Sequence, residues 1–282
     1  MLKLLDGIVE LYKKVASSVP PDVEEAIAGA CEAEAPGSTG RVTLTALIEK
    51  IRTARTAKRP VCQDAGIPVF QIKIPRGISQ TEIGEIVVEG TKAAVKKSGF
   101  HSEAVSNSLM NSPGSYPIIH FEEYEGTSLV IDLLLNGSDC ENAGRLFLCS
   151  DNAALTAGGV ILPGGYDATL ACVQETVEGA RDKLCLPLIA SVGVGSAREQ
   201  VTALSKRLLL RKLNEIKPES STSEFEDRVL REINAAANNN PSGLKTTLIG
   251  VKMASGPLHP DSYFVDVTIS CWALRRGRLI WS

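Results

Sequence analysis

The stretch "RPVCQDAGIPVFQIKIP", residues 59–75, places Cys62, Gln63 and Asp64 side by side, just after a proline and just before an apolar strand. A buried structural cysteine has no need of a carboxylate two residues away. A metal centre with an acid/base group beside it does need such a carboxylate. The stretch therefore predicts a turn that carries working side chains at the start of a strand.

The bulk composition is that of an ordinary globular protein. The chain has 282 residues, 44% of them hydrophobic and 22% charged, with a formal net charge of -3. We see no basic face that indicates nucleic acid, and no apolar run near the roughly 20 residues that span a bilayer. Residues 1–18, "MLKLLDGIVELYKKVASS", are interrupted by charges and predict an amphipathic helix, not a signal peptide. We expect a cytoplasmic protein that binds neither nucleic acid nor membrane.

The pattern of elements predicts an α+β (mixed α/β) fold, rich in helices and with a mixed sheet. Residues 116–139 predict a hairpin that turns at Glu125 and Gly126, and residues 197–216 predict a long amphipathic helix. Two strands are predicted to finish the chain, and the second carries alternating apolar residues on one face. These residues are Tyr263, Val265, Val267, Ile269 and Cys271.

At 282 residues the chain can form one large domain or two modest ones, and we expect a single domain over 1–282. No internal repeat is visible. Residues 150–166, "SDNAALTAGGVILPGGY", are rich in glycine and small side chains. Such a segment favours a loop, so any boundary between two lobes is expected there.

The cysteines do not form a familiar motif. There are seven in the sequence, an odd number, and no C-x-x-C occurs, which argues against a disulfide framework or a zinc ribbon. They are either buried thiols or ligands brought together from distant places. Cys31 and Cys172 lie on predicted helices and are interpreted as core residues.

A strand after Cys185 runs into Gly193 and Gly195 and then into a helix. The amino end of a helix can hold an anion such as a carboxylate, although one such turn is weak evidence by itself. Cys271 lies near the end of the last predicted strand, and Arg275 and Arg276 after it are interpreted as a solvated or interface pair.

Three segments together resemble a known family. They are "RPVCQDAGIPVF", "CLPLIASVGVGSAREQVTALSKRLLLR" and "TTLIGVKMASGPLHPDSYFVDVTISCWALRR". In this order they are similar to the α subunit or N-terminal domain of the iron–sulfur hydro-lyases, which include class I fumarases and L(+)-tartrate dehydratase. The intervals between Cys62, Cys185 and Cys271, 123 and 86 residues, also fit, as does His259 twelve residues before Cys271.

The resemblance implies that Cys62, Cys185 and Cys271 hold a 4Fe–4S cluster. Three thiolates leave one iron open to bind substrate as a Lewis acid, whereas four would saturate the cluster. Asp64 would be an acid/base or orienting group, and Gln63 and His259 would bind the substrate. From the residues alone, Asp64 could instead cap the local turn, and His259 could be an ordinary loop residue.

The departures from the family lie on the substrate side. Ala65 replaces a threonine, and residues 101–117 lack the arginine with which the family grips a carboxylate. The stretch "GSDCENAG" introduces Asp139 and Cys140 beside a site meant for anions. A lost charge-assisted contact and an added carboxylate disfavour an unchanged substrate. Cys140 is a further cluster neighbour, a reactive thiol or simply a small residue.

The resemblance implies the α subunit of a hydro-lyase (hydratase/dehydratase) acting on a small hydroxy acid of fumarate/malate or tartrate type, with the substrate altered in this chain. In the family a β domain completes the site, so a separate β subunit and a homo- or hetero-oligomer are expected. Two alternatives stay open: a 4Fe–4S enzyme of different chemistry, such as removal of sulfide, or a non-catalytic cluster-binding protein.

Overall fold

The computed structural model describes residues 2–98, 117–149, 166–215, 220–236, 243–257, 259 and 262–282. Helices combine there with two four-stranded sheets, each containing parallel and antiparallel pairs, which confirms the α+β class.

The chain divides into two compact units. The first comprises Met1–Pro20, Glu49–Ser138 and Arg275–Ser282, and the second comprises Pro21–Ile48 and Asp139–Leu274. The boundary predicted near 150–166 lies almost wholly outside the described residues and stays a prediction.

The elements are numbered in chain order. The helices are α1 (Leu2–Ala16), α2 (Pro21–Ala33), α3 (Thr39–Ala57), α4 (Gln80–Ser98), α5 (Ser138–Ala143), α6 (Tyr166–Arg181), α7 (Arg198–Leu208) and α8 (Ser220–Ala236). The strands are β1 (Ile67–Pro75), β2 (Ile118–Tyr124), β3 (Leu129–Asn136), β4 (Arg145–Leu148), β5 (Leu188–Gly195), β6 (Leu248–Ser255), β7 (Phe264–Cys271) and β8 (Arg275–Trp281).

The first unit contains a sheet in the order β2-β1-β3-β8, covered by α1 and α4. The predicted amphipathic helix is confirmed in α1, whose apolar stripe is buried in the core of this unit. The stripe is formed by Leu4, Ile8, Leu11, Tyr12 and Val15. Burying such a stripe against a sheet is what stabilises a short helix in water.

The predicted hairpin is wrong. β2 and β3 do not pair with each other, because β1 lies between them, parallel to β2 and antiparallel to β3. The exposed faces of β2 suit an edge strand, whereas β3 is mostly buried and suits the interior. A turn signal fixes where the chain reverses, but burial decides which strands become neighbours.

The sequence reading missed β8, which pairs antiparallel with β3 at the other edge of this sheet. Its residues "RRGRLIW" are too rich in charge to read as a strand. In the structure Arg278 forms a two-bonded ion pair with Asp132 of β3, at 2.7 and 2.9 Å. The ion pair stabilises Arg278 on the sheet, although a charged residue at this position does not indicate a strand in the sequence.

The second unit contains a sheet in the order β4-β7-β5-β6. β5 is buried along its whole length, with β6 parallel on one side and β7 antiparallel on the other. β7 is also buried on both faces over most of its length. The predicted apolar face is confirmed in Val265, Val267 and Ile269, and the polar residues that alternate with them, Asp266, Thr268 and Ser270, are buried as well.

The long helix predicted over 197–216 is shorter in the structure, where α7 ends at Leu208. Tight turns follow it, with bonds such as Leu210 N–H to the Arg207 carbonyl at 3.0 Å. The Leu213 N–H then donates to the buried carboxylate of Asp22, at 2.7 Å. A charged acceptor from another part of this unit thus replaces the helical carbonyl, and helical propensity is overridden.

The described residues contain no helix with the length and apolar character needed to cross a membrane.

We predict that Gly193→Ala destabilises the second unit. A Cβ on Gly193 would overlap the Val201 carbonyl oxygen and lie 2.9 Å from the Ser205 nitrogen, so β5 and α7 must separate. The expected loss is about 1–3 kcal/mol in the free energy of unfolding, measured by urea denaturation. Gly29→Ala on α2 is the control, because its Cβ would meet nothing within 4 Å. Equal stability of the two variants would contradict this packing.

Candidate functional site

The loop that carries the C-Q-D motif is held at both ends. Val61 is fully buried, and its N–H donates to the Ala16 carbonyl at 3.1 Å. At the other end Gly66 has a φ of 78°, a conformation that favours glycine. Between these anchors Cys62 is half-buried and Gln63 is exposed. The fold thus presents two of the predicted site residues at the surface of the first unit.

Asp64 binds the backbone on two sides. Its Oδ1 accepts the Gly66 N–H at 2.8 Å, and its Oδ2 accepts the N–H and hydroxyl of Ser138 at 2.7 and 3.1 Å. The carboxylate therefore joins the loop to the first residue of α5. These contacts bear out the interpretation of Asp64 as a turn cap and fix its orientation; they do not test a role in proton transfer.

Arg275 is not a solvated residue, so that interpretation was wrong. Its side chain is 1% exposed, and its Nη1 donates to the Ala65 carbonyl at 3.1 Å. A Cβ on Gly66 would lie 2.9 Å from Nη2. Arg276, by contrast, is partly exposed. The guanidinium of Arg275 thus packs directly against the end of the C-Q-D loop.

In the second unit, Cys185 and Cys271 lie at the same end of the sheet. Cys271 is the last residue of β7 and pairs with Leu188, the first residue of β5 and three residues after Cys185. Cys185 is exposed and Cys271 is half-buried, although Leu186 and Trp272 beside them in the sequence are buried. The strand register therefore places two of the three predicted ligands at the same end of this sheet.

His259 lies at the opposite end of this sheet. Its carbonyl accepts the Ser262 N–H at 3.1 Å, and the Ser262 hydroxyl donates to the Ser196 carbonyl at 2.7 Å. Ser196 follows β5, where Gly195 pairs with Phe264. β5 has eight residues, so about 23 Å separates its two ends. His259 therefore shares its end of the sheet with the start of α7, and the two cysteines lie at the other end.

Cys140 lies on α5 with 3% of its surface exposed, whereas Asp139 is exposed. Burial fits Cys140 as a small packing residue and makes a reactive thiol at this position unfavourable. The stretch 101–117 predicted to lack an anion grip lies, except for residue 117, outside the described residues.

The seven cysteines fall into two groups by exposure. The three predicted ligands are half-buried or exposed, and the other four are buried. The buried four are Cys31, Cys140, Cys149 and Cys172. The interpretation of Cys31 and Cys172 as core residues is confirmed.

Cys149 and Cys172 hydrogen-bond each other through their side chains. This bond lowers the pKa of Cys149, against the effect of its burial, and it raises the pKa of Cys172, which burial raises further. Cys172 therefore stays protonated at neutral pH, which suits a packing residue and not a metal ligand.

A cysteine that contributes only to packing is normally buried. The accessible thiols Cys62, Cys185 and Cys271 therefore match the soft donors that iron–sulfur clusters require. Within the described part of the chain, no three His, Cys, Asp or Glu side chains are grouped as a ready-made metal site. The three cysteines thus suit iron in donor type and are not buried, and Cys62 belongs to the first unit whereas Cys185 and Cys271 belong to the second.

The chain belongs to the family described as Fumarate hydratase (Fumerase), which it matches over residues 6–279. The resemblance on which the sequence analysis relied is thereby confirmed.

Its relatives carry two kinds of name. It is 29% identical to a protein assigned as a class I fumarate hydratase from Geobacillus stearothermophilus, over 98% of this chain and 54% of that protein. It is 28% identical to a protein assigned as an L(+)-tartrate dehydratase subunit alpha from Methanocaldococcus jannaschii, over 98% of this chain and 96% of that protein. It is 25% identical to the L(+)-tartrate dehydratase subunit alpha of Escherichia coli O157:H7, over 99% of this chain and 90% of that subunit. The chain thus spans about half of the first relative and nearly all of the α subunits.

Two features of the loop escaped the sequence reading. Arg275 was interpreted with Arg276 as a solvated or interface pair, and only its place at the start of β8 reveals its burial. Ser138 directly precedes Asp139 and Cys140 and is a favoured residue at a helix start. A serine at this position indicates that a helix can start there. It does not indicate that Ser138 binds the carboxylate of Asp64.

We predict that the two groups of cysteines react at different rates in cluster-free protein. Cys62, Cys185 and Cys271 should be alkylated by iodoacetamide about tenfold faster or more than the buried four. Buried thiols must wait for local opening, and each 1.4 kcal/mol of opening free energy slows them tenfold. Peptide mass spectrometry at timed intervals measures all seven in one sample. Similar rates for Cys62 and Cys172 would contradict the predicted difference.

We predict that Asp64→Asn lowers the free energy of unfolding by about 1–3 kcal/mol. The amide can accept at one position only, so a donor of Gly66 or Ser138 is left facing an NH₂ group. Asp139→Asn is the control, because Asp139 is exposed and lies in the first turn of the helix that Ser138 starts. Both are compared by urea denaturation, and equal midpoints would show that the three bonds to Asp64 contribute little.

Proposed function

We propose that this chain is the α-type subunit of a 4Fe–4S hydro-lyase, which adds or removes water at a small hydroxy acid of fumarate/malate or tartrate type. One observation carries the proposal. The three cysteines that the family resemblance selects are also the three that are exposed or partly exposed, while the remaining four are buried. Exposure was no part of the argument that selected them, so the agreement supports their role as ligands.

In this proposal Cys62, Cys185 and Cys271 hold the cluster. With three thiolates bound, the cluster supplies an open iron that acts as a Lewis acid toward a hydroxyl and a carboxylate oxygen. Binding a metal often organises its own ligands, so a preformed group of three side chains is not a requirement. The pairing of Cys271 with Leu188, close to Cys185, gives two of the ligands a common support.

Asp64 and Gln63 are assigned to the substrate beside the cluster. The bonds of Asp64 to Gly66 and Ser138 fix its carboxylate, which suits an acid/base or orienting group that must not swing away. Gln63 is exposed, and its amide offers both a donor and an acceptor to a hydroxy acid.

His259 is assigned to substrate binding and not to the cluster. It lies at the end of the second unit's sheet where α7 begins, away from Cys185 and Cys271. Backbone N–H groups at a helix start favour an anion, so a carboxylate there would find two kinds of donor. The two ends of β5 are about 23 Å apart, several times the length of a small hydroxy acid. An acid bound beside Cys185 and Cys271 therefore does not reach His259 in this arrangement, and the assignment of His259 rests on the family resemblance.

A separate β subunit is proposed to complete the enzyme. The support is that the chain covers 54% of the fumarate hydratase relative, and that other relatives are named as α subunits. An enzyme with two kinds of subunit is a hetero-oligomer. A homo-oligomer of this chain is the alternative. A reducing, cytoplasmic location suits a protein whose accessible thiols must stay available to iron.

The test is anaerobic reconstitution with iron and sulfide, followed by iron counting and EPR of the reduced protein. We expect a 4Fe–4S signal that is lost in Cys62→Ser, Cys185→Ser and Cys271→Ser. Cys31→Ser is the matched control, because its sulfur lies 3.6 Å from the Thr45 hydroxyl and 3.8 Å from the Arg41 carbonyl, where a serine can hydrogen-bond. The control should keep the signal.

The same samples then receive fumarate, malate, tartrate and related acids, with and without a β-type subunit. Perturbation of the EPR signal by one acid would identify the ligand class, and turnover is expected only with the β subunit. His259→Asn should keep the cluster signal, and unchanged binding of the acid would remove His259 from the substrate site. A chain that binds no iron after reconstitution would refute the proposed function.

A further inference from the structure

We infer that Arg275 is a positioning residue, which holds the Ala65–Gly66 peptide group and thereby fixes the loop that carries Cys62. The inference rests on the proposed function, since it assigns a supporting role to a residue behind one of the proposed ligands. It is independent of the identity of the substrate.

The carbonyl oxygen of Ala65 and the N–H of Gly66 belong to one peptide group, and oppositely charged side chains bind its two ends. The Arg275 Nη1 donates to the oxygen at 3.1 Å, and the Asp64 Oδ1 accepts the N–H at 2.8 Å. A cation at the carbonyl end and an anion at the N–H end both stabilise the peptide dipole in this orientation. We call this arrangement the peptide clamp.

Close packing surrounds the peptide clamp. Gly66 is buried with a φ of 78°. A Cβ there would lie 2.9 Å from the Arg275 Nη2 and 3.0 Å from the Asn136 carbonyl oxygen. The backbone of Gly66 therefore packs between the Arg275 guanidinium and the end of β3. Cys62 lies three residues before this clamped peptide group, with its own anchor at Val61.

The burial of Arg275 argues for a specific role. A guanidinium with 1% of its surface exposed has lost nearly all of its hydration. Its Nε has no hydrogen-bond partner among the described residues. An apolar side chain would fill this place without that penalty, but it could not hold the Ala65 carbonyl. The contact made by Nη1 is therefore the evident reason for an arginine at this position.

The test compares Arg275→Met with Arg278→Met in the full chain. Arg278 is the matched control, because it lies on the same strand and its two bonds go to Asp132 instead of the loop. Amide hydrogen exchange, followed by mass spectrometry in cluster-free protein, is read in peptides covering residues 61–67 and in peptides covering β5. For Arg275→Met we expect exchange of the loop to be about tenfold faster and exchange of β5 to be unchanged.

The second measurement is the rate at which reconstituted protein loses iron to a chelator under anaerobic conditions. Arg275→Met should lose iron about tenfold faster than Arg278→Met, since groups that orient a ligand affect metal affinity on this scale. Arg275→Lys keeps a single cationic donor and should restore part of both effects. This variant also keeps the test decisive if Arg275→Met does not fold.

Unchanged exchange of the loop in Arg275→Met would overturn the inference, and so would faster exchange in the loop and β5 alike. Faster loop exchange with unaltered iron loss would show that the clamp does not serve the cluster, and the assigned role would be wrong. A wild-type chain that binds no iron would refute the proposed function, while hydrogen exchange of the loop would still decide whether Arg275 holds it.

Discussion

The peptide clamp at Ala65–Gly66 is the constraint on which the first unit's candidate site depends. It lies one residue before β1, whose first residue Ile67 pairs with Asn136 at the end of β3. The same Asp64 carboxylate also binds Ser138, which starts α5. The position of the loop, the start of β1 and the start of α5 are thus coupled through a few charge-assisted bonds. Such bonds are stronger than neutral ones and lose much when one partner is removed.

In the second unit, strand β5 separates groups that are close together in the sequence. The motif "CLPLIASVGVGS" reads as one feature, but most of it is β5, an extended and fully buried strand. Cys185 therefore lies beyond one end of β5 and the start of α7 beyond the other, and about 23 Å separates the two ends. Sequence spacing alone suggests that these groups are neighbours. The strand geometry instead places Cys185 and Cys271 at one end of the sheet and the start of α7 at the other.

The sequence was sufficient where local pattern decides structure. The apolar stripe of α1, the strand after the C-Q-D motif and the core positions of Cys31 and Cys172 were all predicted. It was insufficient where distant partners decide. Three features depend on contacts with residues far away in the sequence. They are the place of β1 between β2 and β3, the end of α7 at Leu208 and the burial of Arg275. No window of neighbouring residues contains that information.

The burial of Arg275 also bears on how a substrate anion would be held. The family grips a carboxylate with an arginine in a stretch where this chain has none, and a neighbouring arginine is the obvious replacement. Arg275 cannot take that role, because its guanidinium is buried and its Nη1 is bound to Ala65. Gln63 is exposed but neutral, and Asp64 carries the wrong charge for an anion. A cationic contact for the carboxylate therefore has to come from other residues, and the proposed β subunit is one source of it.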